Sequence, residues 1–146
     1  MKIGIDIDGC LMDLTEFTWI GMPLFCKRKG IPYNPLVPLT SSDKKNFNLT
    51  DEQVNEFWSE DEAFNLYFSR EARLFAKEVI KELKNMGHEI YIITSRNKEM
   101  NPLIEKNCLF NLEELTLHWL KTNNIQYDKI FFNSGDKADL IKKLKF

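Results

Sequence analysis

The stretch Lys2-Ile-Gly-Ile-Asp6-Ile-Asp8-Gly9 decides the fold, because it closes a short apolar run with two acids and a glycine. The β-branched residues predict a buried strand over residues 2–7, and Asp8-Gly9 predicts a tight turn directly after it. Side chains two positions apart on an extended segment point to the same side. We therefore expect Asp6 and Asp8 to reach one crevice at the end of the first strand.

The rest of the chain alternates short apolar runs with amphipathic segments. The runs predict strands at residues 89–93 and 129–132. Apolar spacing and capping residues predict helices at residues 73–86, 111–123 and 136–144, the last one capped by Asp136. This alternation predicts an α/β fold with a parallel sheet and right-handed crossovers.

Residues 14–69 interrupt the alternation and form the one candidate subdomain. They are rich in aromatics and contain four of the chain's prolines, so short helices and loops are expected there. Thr50 and Gln53 form a capping box, which predicts a helix through about Glu60.

Length and composition exclude several classes of protein. The chain has 146 residues, a size typical of one domain, and its net charge of −2 lacks the basic excess of proteins that bind nucleic-acid polymers. No segment has the apolar length of a signal peptide core or a membrane span. Cys10, Cys26 and Cys108 lack metal-ligand spacing, so we expect buried thiols in a reducing, cytoplasmic protein.

Polar residues stand where the predicted strands end. Asp6 and Asp8 follow the first strand, Thr94 and Ser95 the second, and Lys137 follows the third. In parallel sheets such positions share one edge, where ligands commonly bind. Two neighbouring carboxylates repel each other unless a cation offsets them, which favours a hard divalent metal such as Mg²⁺ between Asp6 and Asp8.

These residue types suit the chemistry of a phosphate ester. A carboxylate can attack phosphorus, and a second one can protonate the leaving oxygen and later activate water. The Thr94 hydroxyl and the Lys137 ammonium can hold the remaining phosphoryl oxygens. Ser95 and Arg96, which end the same strand as Thr94, are candidate substrate contacts or a plain strand-end loop.

The sequences Asp6-Ile-Asp-Gly-Cys-Leu-Met-Asp13 and Ile92-Ile-Thr-Ser95, together with Lys137, resemble the first three motifs of the haloacid dehalogenase superfamily. The long insert and the surroundings of the motifs resemble its 5′(3′)-deoxyribonucleotidase branch. The resemblance implies a Rossmann-like core made of residues 1–13 and 70–146. It also implies a small helical cap, residues 14–69, inserted after the first strand.

The resemblance also implies roles for individual residues. Asp6 would be the nucleophile and a metal ligand, and Asp8 the general acid/base and a metal ligand through its backbone carbonyl. Thr94 would hold a phosphoryl oxygen, and Lys137 would neutralise the nucleophile and the phosphate. The cofactor would be Mg²⁺, and a nucleobase would stack on cap aromatics, with Phe17, Trp19, Phe64 and Tyr67 as candidates.

The chain departs from the family pattern in two places. Cys10 stands where the family most often has threonine, which removes a hydroxyl from the turn. The fourth motif, an apolar strand ending in paired acids, is expected after the last helix, but the sequence ends at Phe146. We assign residues 135–139 to the lysine motif, so the core is predicted to be incomplete at its C-terminal end.

Three functions follow from these residues. The first is a Mg²⁺-dependent phosphohydrolase acting through an aspartyl-phosphate on a small phosphomonoester, a 5′(3′)-(deoxy)nucleoside monophosphate. The second is a protein of the same fold that binds phosphate or nucleotide without turnover. The third is a phosphotransferase or phosphomutase. For each of these functions we expect a small phosphorylated molecule as the partner, and neither a nucleic-acid polymer nor a membrane. The sequence leaves open whether the protein forms a homodimer.

Overall fold

Strands and helices alternate along the chain, as the sequence predicts. The computed structural model describes residues 1–15, 17–33, 45, 47–96, 111–133 and 135–144. The strands in these ranges are β1 (Lys2–Ile5), β2 (Glu89–Thr94) and β3 (Lys129–Phe132). The helices are α1 (Met22–Lys29), α2 (Asp51–Phe57), α3 (Asp61–Ser69), α4 (Ala76–Asn85), α5 (Leu112–Thr122) and α6 (Lys137–Leu144), and a π-helical segment, Phe17–Gly21, leads into α1.

The three strands form one parallel sheet in the order β1-β2-β3. Ile3 lies opposite Ile90 on β2, and Ile92 lies opposite Ile130 on β3. The predicted α/β, Rossmann-like fold class with a parallel sheet is therefore confirmed. Because the strands are parallel, their carboxyl ends lie at one edge of the sheet.

The predicted capping boxes account for two helix starts. The Thr50 hydroxyl accepts from the backbone N–H of Gln53, whose side chain accepts from the N–H of Thr50. Asn111 and Glu114 make the same reciprocal pair at the start of α5. The helix that begins after Thr50 ends at Phe57, earlier than predicted, and a second short helix, α3, follows it.

The first strand is shorter than predicted. It ends at Ile5, because the carbonyl of Ile7 accepts from the N–H groups of Cys10 and Met12 at 3.1 and 2.9 Å and so belongs to a turn. Gly9 occupies the left-handed region of that turn, at φ 76°, where a side chain would be strained. The predicted tight turn at Asp8-Gly9 is therefore present, but it already includes Ile7, so the expectation that Asp6 and Asp8 share one extended segment is wrong.

Buried side chains form one cluster around the sheet and others among the helices. The sheet cluster contains residues from β2, α5 and the turn after β1, namely Ile7, Ile90, Ile92, Trp119 and Leu120. A second cluster lies wholly within residues 14–69, and a third joins Ala63 and Tyr67 of α3 to Leu112 and Leu115 of α5. The boundaries of core and cap stay a prediction.

The cysteine prediction is correct at one position and wrong at another. Cys26 is buried on α1, whereas Cys10 is exposed because it lies in the turn after β1. Cys108 lies outside the described residues. Among the helices that the structure describes, none is long and apolar enough to cross a membrane.

Candidate active site at the carboxyl ends of the strands

The parallel sheet brings most of the predicted site residues to one edge. Asp6 directly follows β1, Thr94 is the last residue of β2, and Lys137 is the first residue of α6, beyond β3. The start of α6 is fixed by Asp136, whose carboxylate accepts from the N–H of Ala138 at 2.8 Å. The strand ends and this helix start together place acidic, hydroxyl and cationic groups on the same side of the sheet.

Asp6 is paired with Lys137 in an accessible position. The Lys137 Nζ lies 2.5 Å from Asp6 Oδ2, and the two side chains are 31% and 38% exposed. The other oxygen of Asp6, Oδ1, accepts from the backbone N–H of Ile7 at 2.8 Å. Since Ile7 is fully buried, this hydrogen bond ties the carboxylate to the core while Oδ2 stays on the open side.

Asp8 is paired with a different cation, Arg96. The Nε of Arg96 donates to Asp8 Oδ2 at 2.8 Å, and its Nη2 donates to Asp8 Oδ1 at 2.5 Å. This is the two-pronged geometry that an arginine fork offers to a carboxylate. The structure therefore connects Asp6 and Asp8 to separate cations, and the shared crevice stays a prediction.

Arg96 is almost completely enclosed, with a side chain that is 2% exposed. Its guanidinium carbon lies 4.6 Å from the ring centre of Tyr67 and 5.9 Å from that of Trp119. The Nη2 atom also lies 3.2 Å from the sulfur of Met12. Its Nη1 atom is buried without a hydrogen-bond partner among the described residues, and the predicted substrate contact of Arg96 stays a prediction.

The surroundings of Arg96 also affect Tyr67. Burial raises the pKa of the Tyr67 phenol well above its usual value, the nearby Asp8 carboxylate raises this pKa further, and the Arg96 cation opposes them. Tyr67 was a candidate for stacking on a base, but its ring lies beside Arg96 and is 7% exposed. The ring packs against this charged pair at the contact between α3 and α5.

Thr94 and Ser95 directly precede Arg96 at the carboxyl end of β2. Thr94 is fully buried at the end of β2, and its hydroxyl oxygen accepts from the backbone N–H of Arg96 at 3.2 Å. A hydroxyl that accepts one bond keeps its own proton to donate. Ser95 is partly buried beside it. Thr94 is thus held in place by the segment that also positions Arg96.

The other predicted cap aromatics pack among themselves. The ring of Phe17 lies 5.0 Å from that of Phe57, and the ring of Trp19 lies 5.5 Å from that of Phe47. Phe17 also lines a cavity of 390 Å³ between the π-helical segment, α1 and α3. The side chain of Phe64 lies outside what the structure describes.

The donor set fits a magnesium ion only in part. Mg²⁺ prefers oxygen ligands and commonly takes one or two carboxylates from the protein, with waters and substrate phosphate completing the octahedron. Asp6 supplies an accessible carboxylate, and Asp8 has a backbone carbonyl in the adjacent turn. Within the described ranges, no three side chains of histidine, cysteine, aspartate or glutamate gather as metal ligands.

Sequence reasoning missed the partnership between Arg96 and Asp8. The two residues are 88 positions apart, so no local pattern joins them. One signal was available: Arg96 follows β2, the strand that neighbours β1, at the same edge of the sheet as Asp8. The contacts of Arg96 with Tyr67 and Trp119 had no such signal, because they depend on how α3 and α5 pack.

Comparisons with known proteins give one relative and neither a family model nor a solved structure. No protein-family model matches the chain, and no solved structure matches it. A protein of Bacillus cereus described as "Putative nucleotidase" is 29% identical to this chain. The alignment is 161 positions long and covers 99% of this chain and 72% of that protein. The chain is therefore similar, over nearly its whole length, to a protein with the name of a nucleotidase.

Proposed function

We propose that this chain is a phosphohydrolase of the haloacid dehalogenase type that removes phosphate from a nucleoside monophosphate through an aspartyl-phosphate at Asp6. The observation that carries the proposal is the pair formed by Asp6 and Lys137 at the carboxyl edge of a parallel sheet, 2.5 Å apart and partly exposed. An accessible carboxylate beside a lysine offers a nucleophile and a cation to one phosphoryl group.

The proposed reaction has two steps. In the first, an Asp6 oxygen attacks phosphorus, the bond from phosphorus to the ester oxygen breaks, and Asp8 gives its proton to that oxygen. In the second, water attacks the same phosphorus and Asp8 takes a proton from the water. The bond between phosphorus and the Asp6 oxygen breaks, which restores the Asp6 carboxylate and frees inorganic phosphate. Lys137 and the Thr94 hydroxyl hold the phosphoryl oxygens, where negative charge develops.

We also propose Mg²⁺ as the cofactor, held by the Asp6 carboxylate and the backbone carbonyl of Asp8. When bound, the ion would supply positive charge to the phosphoryl oxygens and reduce the repulsion between phosphate and Asp6. Since the fork of Arg96 engages both side-chain oxygens of Asp8, the carbonyl is the group of Asp8 that suits this role.

The substrate class rests on the relative and on the helical insert. A protein with the name of a nucleotidase is 29% identical to this chain. The cavity beside Phe17 has a volume of 390 Å³. It is lined by apolar side chains and by polar ones, namely Arg28, Glu60, Asn65, Ser69 and Arg70, and Arg28 is ion-paired with Glu60. Such a mixture of apolar surface and a few polar groups suits a small organic ligand such as a nucleoside.

Replacing the nucleophile tests the proposal. We expect Asp6→Asn to lower kcat/KM for nucleoside monophosphates by roughly 10⁴-fold or more, the scale of removing a catalytic nucleophile. The measurement is release of inorganic phosphate in the presence of Mg²⁺. Asp13→Asn is a matched control, because Asp13 ends the same motif but forms an exposed ion pair with Arg73 at 3.1 Å.

The two variants give a clear decision. Near-normal activity of Asp13→Asn with loss of activity in Asp6→Asn would support the proposal. Full activity of Asp6→Asn would refute Asp6 as the nucleophile. A mass increase of one phosphoryl group in rapidly quenched protein, absent in Asp6→Asn, would be independent support for the covalent intermediate.

A second candidate is a protein that binds a phosphorylated nucleoside without turnover. It is favoured by the donor set, since within the described part of the chain no third acidic side chain joins Asp6 and Asp8. Saturable binding of a nucleoside monophosphate by calorimetry, with no phosphate released over hours in Mg²⁺, would support this candidate. Phosphate release that Asp6→Asn abolishes would exclude it.

A further inference from the structure

Arg96 lies just beyond the end of β2, yet its side chain is enclosed by a carboxylate and two aromatic rings. It is 2% exposed, it engages both oxygens of Asp8, and its guanidinium lies near two aromatic rings from different helices, Tyr67 of α3 and Trp119 of α5. A planar guanidinium between a carboxylate and aromatic rings has little freedom to rotate. Its position is therefore set by the packing of α3 and α5.

We propose that Arg96 is a positioning residue, which fixes the orientation of the Asp8 carboxylate and takes its own position from the rings of Tyr67 and Trp119. The proposal rests on the proposed function, because it concerns the step in which Asp8 gives a proton to the leaving oxygen. Arg96 acts through Asp8 and does not itself touch the reacting atoms.

The fork of Arg96 occupies only part of the Asp8 carboxylate. A carboxylate has about four lone-pair positions on its two oxygens, and the fork of Arg96 uses one on each oxygen. The remaining lone pairs are available for proton transfer. Asp6 is bound by a different cation, Lys137, so the fork of Arg96 acts on Asp8 alone.

A lysine at position 96 would lack this directional control. An ammonium is a point charge that satisfies one oxygen at a time, whereas the fork of an arginine fixes the plane of its partner. Arg96→Lys therefore keeps the charge and loses the orientation. Arg96→Met keeps an unbranched apolar stem and loses both.

A comparison of two substrates with different leaving groups distinguishes a positioning role of Arg96 from a merely structural one. A nucleoside 5′-oxygen is a poor leaving group and needs a proton from Asp8, whereas p-nitrophenolate leaves without one. The value of kcat/KM reports steps up to the first irreversible one, here departure of the leaving group. Misplacing Asp8 should therefore lower kcat/KM for the nucleotide far more than for p-nitrophenyl phosphate.

The experiment measures kcat/KM for a nucleoside 5′-monophosphate and for p-nitrophenyl phosphate in Arg96→Lys, Arg96→Met and Tyr67→Leu. We expect the nucleotide value to fall by about 100-fold in Arg96→Met, the scale of a small misplacement of a catalytic group, and the p-nitrophenyl phosphate value by less than about threefold. Arg96→Lys and Tyr67→Leu should show the same selective loss at smaller size.

Two further variants complete the design. Tyr67→Leu leaves both members of the ion pair in place, so it tests the proposal even if Arg96→Met does not fold. Phe25→Leu is its matched control, because Phe25 is a fully buried aromatic that packs on Phe57 in the helical cluster. The double variant of Arg96→Lys with Tyr67→Leu should lose less than the product of the two single losses, since both act on one orientation.

Each outcome decides a different question. A selective nucleotide loss in the Arg96 and Tyr67 variants, but not in Phe25→Leu, supports the positioning role. Equal losses on both substrates, or no loss, overturn it while leaving the proposed function intact. An unchanged protein that hydrolyses neither substrate overturns the proposed function, and this role with it.

Discussion

Asp6 and Asp8 lie two positions apart in the sequence, yet their ion pairs lie in very different environments. The Asp6–Lys137 pair is 38% and 31% exposed, whereas in the Asp8–Arg96 pair the acid is 29% exposed and the cation only 2%. The first is a single contact from a flexible ammonium at a helix start. The second is a two-pronged contact from a guanidinium held near aromatic rings.

Under the proposed function, this difference suits a division of tasks between two similar acids. An accessible carboxylate with a mobile cation is able to take a phosphoryl group, because Lys137 can move with the charge as the bond forms. A carboxylate held on both oxygens is suited to proton transfer in a fixed direction. With these proposed roles, environment would separate the two acids as it does in other paired-carboxylate sites.

The largest test of this comparison is the stability of Arg96→Met. We expect it to lower the free energy of unfolding by roughly 3 kcal/mol, near the low end for removing one partner of a buried pair, because Asp8 keeps some contact with water. Urea denaturation followed by circular dichroism measures the loss.

Its control is the double variant Asp8→Asn with Arg96→Met. Removing both partners leaves no uncompensated charge, so a large part of the lost stability should return. If Arg96→Met proves as stable as the unchanged protein, burial of Arg96 does not distinguish the two pairs and the comparison fails.

The contrasting test is Lys137→Met, for which we expect a loss of stability below about 1 kcal/mol, as is usual for exposed ion pairs. The same urea titration measures it.

Added salt distinguishes the exposed pair of Lys137 from the enclosed pair of Arg96, since at about 1 M salt the screening length falls to roughly 3 Å. The small effect of Lys137→Met should then disappear, while that of Arg96→Met remains. A salt-insensitive loss in Lys137→Met would contradict the assignment of this pair as exposed.

The two pairs also differ in how far the sequence predicts them. Asp6 and Lys137 follow strands that a short apolar pattern identifies, and parallel strands bring their ends together by topology alone. The capping boxes at Thr50 and Asn111 were equally predictable from the sequence, because each depends on four consecutive residues. Local pattern and topology together were sufficient for the fold class and for placing Asp6 and Lys137 at one edge of the sheet.

The pair between Asp8 and Arg96 could not be predicted in the same way. The turn after Ile5, set by the hydrogen bonds of the Ile7 carbonyl, takes Asp8 off the strand. The burial of Arg96 depends on Tyr67, which belongs to the insert and reaches the site only because α3 packs on α5. Such contacts between distant helices are set by side-chain packing, for which no sequence spacing gives a signal.

The smallest expected effect concerns Tyr67 at alkaline pH. Burial, with a further contribution from Asp8, raises the pKa of its phenol in the folded protein. Below the usual tyrosine pKa of about 10 the phenol is neutral in both states and its stabilising contribution is complete. As the pH rises above that value, the unfolded chain ionises first, so stability falls until the folded-state pKa is passed.

Tyr67→Phe removes the ionisable group and keeps the ring beside Arg96. We expect its unfolding free energy to decline less steeply above pH 10 than that of the unchanged protein, with little difference near neutrality. Urea midpoints across the alkaline range provide the measurement. Parallel declines in the two proteins would mean that Tyr67 is accessible to hydroxide. The enclosure of Arg96, on which the contrast with Lys137 depends, would then be looser than its contacts indicate.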